Sequence, residues 1–219
     1  IPLRLVGSEM CIRDSNYPGQ LWEIDSSLFE QYTTVARLCV DFIRFLLANF
    51  EKVEVIAEWG NHGRIGSKRD NVPKNDNVDR MVYELARQIL ADEKRLKWED
   101  CPNDIQKFSI GNYRAILIHG DEIGRNGFSS TNQIIAHINR WKSGALDYEF
   151  RDCYSGHYHT HLEIPTADGL GALYQTGSTE SDNRYARDLL AASATPSQRL
   201  HFIDPNKGRV TAAYKVWLD

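Results

Sequence analysis

Seven histidines stand in 219 residues, at positions 62, 119, 137, 157, 159, 161 and 201, and three of them fall between 157 and 161. Three clusters set histidine beside glycine: Gly60-Asn61-His62-Gly63-Arg64, His119-Gly120-Asp121 and Gly156-His157-Tyr158-His159. Imidazole nitrogens with amide and carboxylate oxygens are donors that first-row divalent metals accept. Glycine lets the backbone turn sharply and come close to a ligand. Each cluster follows an apolar, strand-like run, and in α/β sheets ligands gather beyond the carboxyl ends of strands. The set therefore predicts a metal site rather than three hydrogen-bonded surface histidines. His157 and His159, two apart, would share a face in a strand; in a tight loop they would flank a metal pair. His161 lies one strand step further on and extends the cluster. His137 and His201 stand alone and read as structural or surface residues.

The elements that must position these groups are legible in the apolar spacing. Ser27 and Glu30 stand at capping-box spacing before an apolar pattern running from Leu28 to Phe50 at three- and four-residue steps, which predicts a helix to about Asn49. Val53 to Ala57 reads as a short strand feeding Trp59-Gly60 and a polar loop to Asn77. A second amphipathic helix carries Val78, Met81, Val82, Leu85, Ile89 and Leu90. Phe108 to Ile118 reads as a hairpin turning at Gly111-Asn112, and the continuously apolar Ala115–Ile118 suits a central strand covered on both faces. A third helix is expected over Thr131–Trp141. Strands are expected over Tyr148–Tyr154, Leu162–Ile164, Leu173–Thr176, Arg199–Ile203 and Arg209–Trp217, the last two joined by the turn Asp204–Gly208. With no repeat, low-complexity tract or long linker, a single layered α/β domain is the economical reading.

Composition narrows the function classes. At 42% hydrophobic and 26% charged residues the chain is globular rather than disordered or fibrous. A net charge of −4 provides no bulk basic field for nucleic acid or an acidic membrane. No apolar run approaches the roughly 20 residues of a membrane span. Four cysteines, at 11, 39, 101 and 153, form no CxxC pair and point to a reducing compartment.

The order GNH, then HGD, then GHxH across Asn61 to His159 resembles the calcineurin-like metallophosphoesterase superfamily. Tyr17-Pro18-Gly19-Gln20, Gly60–Arg64 and Gly177-Ser178 resemble its phage-type metallophosphatase, or DNA-repair-exonuclease-like, subgroup over residues 16–219. The resemblance implies a four-layer α-β-β-α sandwich and two-metal hydrolysis of a phosphate ester by a metal-bound hydroxide. It implies two divalent ions, manganese first, with iron or zinc as the other candidates. By matching position, Asn61, His119 and His157 would bind one metal and His159 the other. His62 would be the catalytic residue beside the scissile phosphate, and Arg64 would hold that phosphate. Asp121, or Asp152, would take the second N–H of a ligating histidine. The implied substrate is a nucleic-acid phosphodiester, DNA being the partner favoured over a small phosphoester. Arg64, Lys68, Arg69, Lys74 and Arg80 are the cations that could track its backbone. Trp59, Tyr158 and Tyr185 are the aromatics that could stack on bases. The implied location is the cytoplasm of a bacterial host.

Two motifs of the superfamily are missing: an Asp-x-His after the first strand and a Gly-Asp after the second. Asp14 has no histidine two residues on, and Gly19 is followed by Gln20. The place of the bridging Asp is held by residues 1–15, whose Val6–Ser15 resembles translated sequencing-adapter sequence. On that reading the native domain is 16–219 and lacks its first strands. The other reading makes Leu3 to Val6 an ordinary edge strand. Gly63 also departs from relatives that carry an acid directly after the GNH histidine. Lacking the N-terminal acids, the chain is expected to bind at most one divalent ion well and to be weakly active. The rival expectations are a non-catalytic metal- or nucleic-acid-binding protein, and a mononuclear zinc hydrolase using His119, His157 and His159.

Overall fold

The computed structural model describes residues 3–6, 26–66, 76–99, 105–123, 131–179 and 195–218. The elements are β1 (Leu3–Val6), α1 (Leu28–Asn49), β2 (Val53–Ile56), α2 (Val78–Ile89), β3 (Leu96–Glu99), β4 (Gln106–Ile110), β5 (Tyr113–Ile118), α3 (Thr131–Arg140), β6 (Asp152–Ser155), β7 (Leu162–Pro165), β8 (Ala172–Gln175), β9 (Ser197–Asp204) and β10 (Arg209–Trp217). They fall into two units, a helical one over Cys11–Asn103 and a sheet unit formed by Ile1–Met10 with Asp104–Asp219. Asp14, Gly19, Gln20, Lys68, Lys74, Arg69, Tyr185, Cys11 and Cys101 lie outside the described residues.

In the helical unit, α1 begins as its sequence predicts. The Ser27 hydroxyl accepts from the Glu30 N–H at 3.3 Å, and the Glu30 carboxylate accepts from the Ser27 N–H at 2.8 Å. Such a cap is worth about 1 kcal/mol. Ala36, Val40, Ile43 and Leu47 recur at helical spacing and are the buried stripe of α1. Val40, Ile43 and Leu47 pack with Val53, Ala86 and Leu90, and Ala36 with Val78 and Val82. Burying each of the larger apolar side chains contributes roughly 1.5–3 kcal/mol. The strand β3, which the sequence did not mark, pairs parallel with β2, Val53 opposite Leu96. Its Leu-Lys-Trp-Glu carries too little alternation to announce a strand; α2, as the crossover, brings it into register. Among the described residues no helix is long and apolar enough to cross a membrane.

The sheet unit holds a five-stranded sheet in the order β4-β5-β6-β8-β7. Its core strands β5, β6 and β8 run parallel, and β4 and β7 are antiparallel edges. Alternation along β5 divides the packing between its two faces. Tyr113 and Ala115 pack with Tyr154, Ala172, Tyr174 and Ile203, so β9 lies over that face. Ile116 and Ile118 pack with Cys153, Leu173, Ile134 and Ile138, so α3 covers the other. The described residues of this unit thus make helix, mixed sheet and a three-stranded antiparallel sheet β1-β9-β10. This is a mixed α/β fold with few helices. Leu3–Val6 is the edge strand, paired with β9 from Leu3–Phe202 to Val6–Arg199.

Two boundaries differ from expectation. The strand expected over Tyr148–Tyr154 begins only at Asp152, where pairing with Ala115 starts. Before it, Lys142 Nζ takes the Arg151 carbonyl at 2.8 Å and the Tyr148 hydroxyl reaches the Phe108 carbonyl at 2.9 Å. That segment packs over the sheet through Tyr148 and Phe150 and joins it only at Arg151, whose N–H donates to the Arg114 carbonyl at 2.8 Å. The third helix ends at Arg140, and Trp141 opens a wider turn to Ala145 that Gly144 allows at φ 103°.

Candidate functional site

β5 and β6 are parallel neighbours, and their carboxyl ends carry two of the three histidine clusters. Ile118 is paired with Ser155, so His119 and Gly156 leave the sheet side by side. The Gly156 N–H donates to the His119 carbonyl at 3.0 Å. The His119 and His157 rings come to 5.0 Å between centres at 65°. Tyr158 packs edge-on against His157 at 4.8 Å, and its N–H donates to the Gly156 carbonyl at 2.8 Å. Gly120 sits at φ 121°, with His157 Cβ 3.3 Å from where its own Cβ would stand. Asp121, 7% exposed, opens a short 3-10 turn directly after.

His157 (φ 67°) and His159 (φ 53°) are the only non-glycine residues with positive φ among the described residues. The left-handed region costs an L-residue roughly 1–2 kcal/mol, and such conformations gather at ligand clamps and active sites. The turn between β6 and β7 is thus the tight-loop alternative, and the two histidines do not share a strand face. Burial lowers the His159 pKa and keeps the imidazole neutral, the form that ligates metals. His161 is pushed down to about 4 by burial, with Arg199 and Lys215 adding like-charge repulsion.

Asp152 does not stand behind a ligating histidine. Its carboxylate sits at the start of β6, the end away from His157, where it accepts from the Ala172 N–H at 2.8 Å. His201 is structural rather than a surface residue: it is fully buried and bonded on both ring nitrogens, to Tyr154 at 3.0 Å and Arg199 at 3.3 Å. His137 packs edge-on against Trp141 at 4.5 Å, a structural contact.

The third cluster lies in the helical unit, in the loop after β2, clamped to the first turn of α2. Asp79 Oδ2 accepts from the Gly60 N–H at 2.7 Å, and Asn77 Nδ2 donates to the Gly60 carbonyl at 3.1 Å. The Val78 N–H closes the other end on the Gly63 carbonyl at 2.7 Å. Asn77 caps α2 by accepting from the Asp79 N–H at 2.8 Å. Asn61 and His62 are carried between these fixed points, and Arg64 follows directly after the second, bridged to Asn77. A Cβ on Gly63 would fall inside contact distance of Asn77 Oδ1 and Asp79 Oδ1, which explains why this position carries no side chain. Burial raises the Asp79 pKa to about 7, against the lowering effects of the Gly60 N–H and the Arg64 charge. The sequence offered a signal for this clamp that went unread: Asn77 stands at N-cap spacing before an apolar helix with Asp79 in its first turn.

Trp59 is 6% exposed and belongs to the core with Ala57, so it is no base-stacking platform. Arg80 lies on α2 over the Trp59 ring at 5.8 Å rather than in the polar loop.

Among the described residues no three His, Cys, Asp or Glu side chains gather as a metal-holding group. The sheet unit brings together His119 and His157, with His159 two residues on. Two neighbouring imidazoles fit the donor preferences of a first-row divalent ion, and further donors are needed to complete its shell.

No family model matches the chain, and no curated protein matches it. Among solved structures it is similar to Vps29 of Entamoeba histolytica complexed with zinc, at 17% identity over 64% of this chain and 76% of that one, with a TM-score of 0.39. It is similar to vacuolar protein sorting 29 of Cryptosporidium parvum at 15% identity over 61% and 76%, TM-score 0.37. It is also similar to a predicted phosphoesterase of Streptococcus pneumoniae at 13% identity over 57% and 74%, TM-score 0.29.

Proposed function

We propose that this chain hydrolyses a phosphate ester with the help of divalent metal, its histidine turn between β6 and β7 being the centre of the site. The observation that carries the reading is the pair of left-handed histidines, His157 and His159, in the turn that sets His157 against His119. Backbone strain of this kind persists only where the surroundings over-determine it.

The roles follow the chemistry of the side chains. His119 and His157 would hold one ion, and His159 would be the ligand offered to a second, more weakly held ion; Asn61 is a ligand by its motif alone. The chemistry supplied by such ions is polarisation of a phosphoryl group and activation of water at neutral pH. His62 gives a proton to the leaving oxygen. Arg64, planar and always charged, receives two phosphate oxygens at once. Asp121 accepts the second N–H of a ligating histidine and fixes its tautomer. Manganese is the first candidate ion, ahead of iron and zinc, and a nucleic-acid phosphodiester such as DNA the first candidate substrate. The bacterial cytoplasm is the matching compartment.

The test is hydrolysis of bis-p-nitrophenyl phosphate and of single-stranded DNA with Mn2+ titrated in. The expected result is metal-dependent release of nitrophenol that falls in His157→Ala and in His62→Ala; metal-independent turnover, or turnover indifferent to both substitutions, overturns the reading. A second reading makes the chain a non-catalytic metal- or nucleic-acid-binding protein; among the described residues no three His, Cys, Asp or Glu side chains gather as a metal-holding group. Its signature in the same assay is Mn2+ binding that depends on His157 without hydrolysis. Metal analysis showing one zinc, lost on changing His119, His157 or His159, would instead assign a mononuclear zinc site.

A further inference from the structure

Between β9 and the five-stranded sheet, where apolar packing is the rule, a line of polar side chains crosses the core of the sheet unit. It begins at Arg199 on β9, which is only 2% exposed. Its Nη2 donates to the Leu162 carbonyl at 2.8 Å and to the Gln175 carbonyl at 3.1 Å. The guanidinium lies over the Tyr174 ring at 5.0 Å. Among the described residues no carboxylate forms an ion pair with it, and its Nε has no hydrogen-bond partner. Glu163 acts on it only at a distance. A buried cation without a paired carboxylate is costly, and a methionine would fill much of this space without that cost.

The hydrogen-bond directions at the cation end of the line are set by chemistry. A guanidinium only donates, so His201 Nε2 accepts from Arg199 Nη1 at 3.3 Å. His201 Nδ1 then carries the ring proton and donates to the Tyr154 oxygen at 3.0 Å. The Tyr154 and Tyr113 hydroxyls meet at 2.8 Å, where either can donate. Four side chains therefore form one hydrogen-bonded line, from a cation on β9 to the Tyr113 hydroxyl on β5.

The cation end meets the histidine turn. Leu162 is the first strand residue after Gly156–His161, and it is paired with Gln175 on β8. On its other side Gln175 is paired with Ser155, the last residue before the turn. One guanidinium thus holds the strand end that leaves the turn and the strand that lies between its two ends. We propose that Arg199 is the positioning residue of the histidine turn. Anchored through His201, Tyr154 and Tyr113, it fixes the frame from which the left-handed His157 and His159 project. Its functional consequence rests on the reading of that turn as the metal site; the positioning itself does not.

The experiment is amide hydrogen exchange by mass spectrometry on the full chain, without metal, comparing segment 156–162 with segment 113–118. The variants are Arg199→Met, Arg199→Lys and Tyr154→Phe, with Ile203→Ala as a control that weakens the same core without touching the polar line. The expected result is a rise of at least about tenfold in exchange over 156–162 in Arg199→Met, with 113–118 changed much less. Tyr154→Phe shifts the same segment by a smaller factor, and Arg199→Lys recovers part of the protection. If Arg199→Met does not fold, the other two variants decide by the same selectivity. Equal acceleration of both segments, matching Ile203→Ala, or no change over 156–162, overturns the proposal. Failure of the metal reading shows separately, as Co2+ binding that is unaffected by His157→Ala.

Discussion

The rings of His119 and His157 stand 5.0 Å apart at 65°, because the Gly156 N–H donates to the His119 carbonyl across the ends of β5 and β6. Neither residue reaches the other through local sequence. Parallel pairing of Ile118 with Ser155 brings them together, and the glycine after each strand lets the chain turn at once.

This pairing makes His157 the first residue to change. His157→Ala is expected to weaken Co2+ or Mn2+ binding by at least about tenfold, the lower range seen when even a residue behind a metal ligand is removed. His137→Ala, whose ring only packs on Trp141, should bind as the parent does. Calorimetric titration checks both, and equal affinities would remove His157 from the site.

His159, at φ 53°, separates strain from function. Glycine and alanine remove the same imidazole, but only glycine adopts this backbone freely. His159→Gly should be more stable than His159→Ala by about 1 kcal/mol in urea unfolding, while both lose metal-dependent hydrolysis. Equal stabilities would show that the turn relaxes when the ring is removed.

Asp79 predicts a pH dependence for the helical unit. Its pKa is raised from 3.8 to about 7 by burial. The folded state therefore holds the proton over a range where the unfolded chain has released it. The stabilising contribution is full below pH 3.8 and is lost as pH rises through about 7. By linkage the contribution is at most about 4 kcal/mol. Urea midpoints measured from pH 4 to pH 8 should fall across that range, and Asp79→Asn should flatten the slope. A parent profile as flat as that of the variant would contradict the burial assigned to Asp79.

Gly63 is closed on its side-chain side by Asn77 and Asp79. Gly63→Ala should force the clamp apart and cost about 1–3 kcal/mol, the range for overpacking. His62-dependent activity should fall with it. Gly66→Ala is the comparison for backbone effects alone, since Gly66 sits at φ 102° with no part in the clamp. A fully stable Gly63→Ala protein would show that the loop is not held as described.

Much of the fold was readable because periodicity is a local property. The stripe Ala36, Val40, Ile43, Leu47, the capping pair Ser27 and Glu30, and the apolar run Ala115–Ile118 each announce their element from side chains a few residues apart. Leu96–Glu99 did not, since only its parallel partner β2 makes it a strand. Tyr148–Arg151 looked like a strand by composition, but Lys142 takes the carbonyl of Arg151, and the ladder starts at Asp152.

For the site, the sequence by itself determined which groups could ligate metal and that glycine would stand beside each. Residue identity carries donor chemistry, and glycine carries conformational freedom. Only the tertiary structure decided that His157 and His159 sit left-handed in a turn, that Asp79 fills the space of a side chain at 63, and that Asp152 holds the Ala172 N–H instead of a histidine. It also drew His201, which stands alone in the sequence, into one line with Arg199 behind the turn. Hydrogen bonds and burial costs depend on what lies within a few ångströms, and strands distant in the chain set those distances.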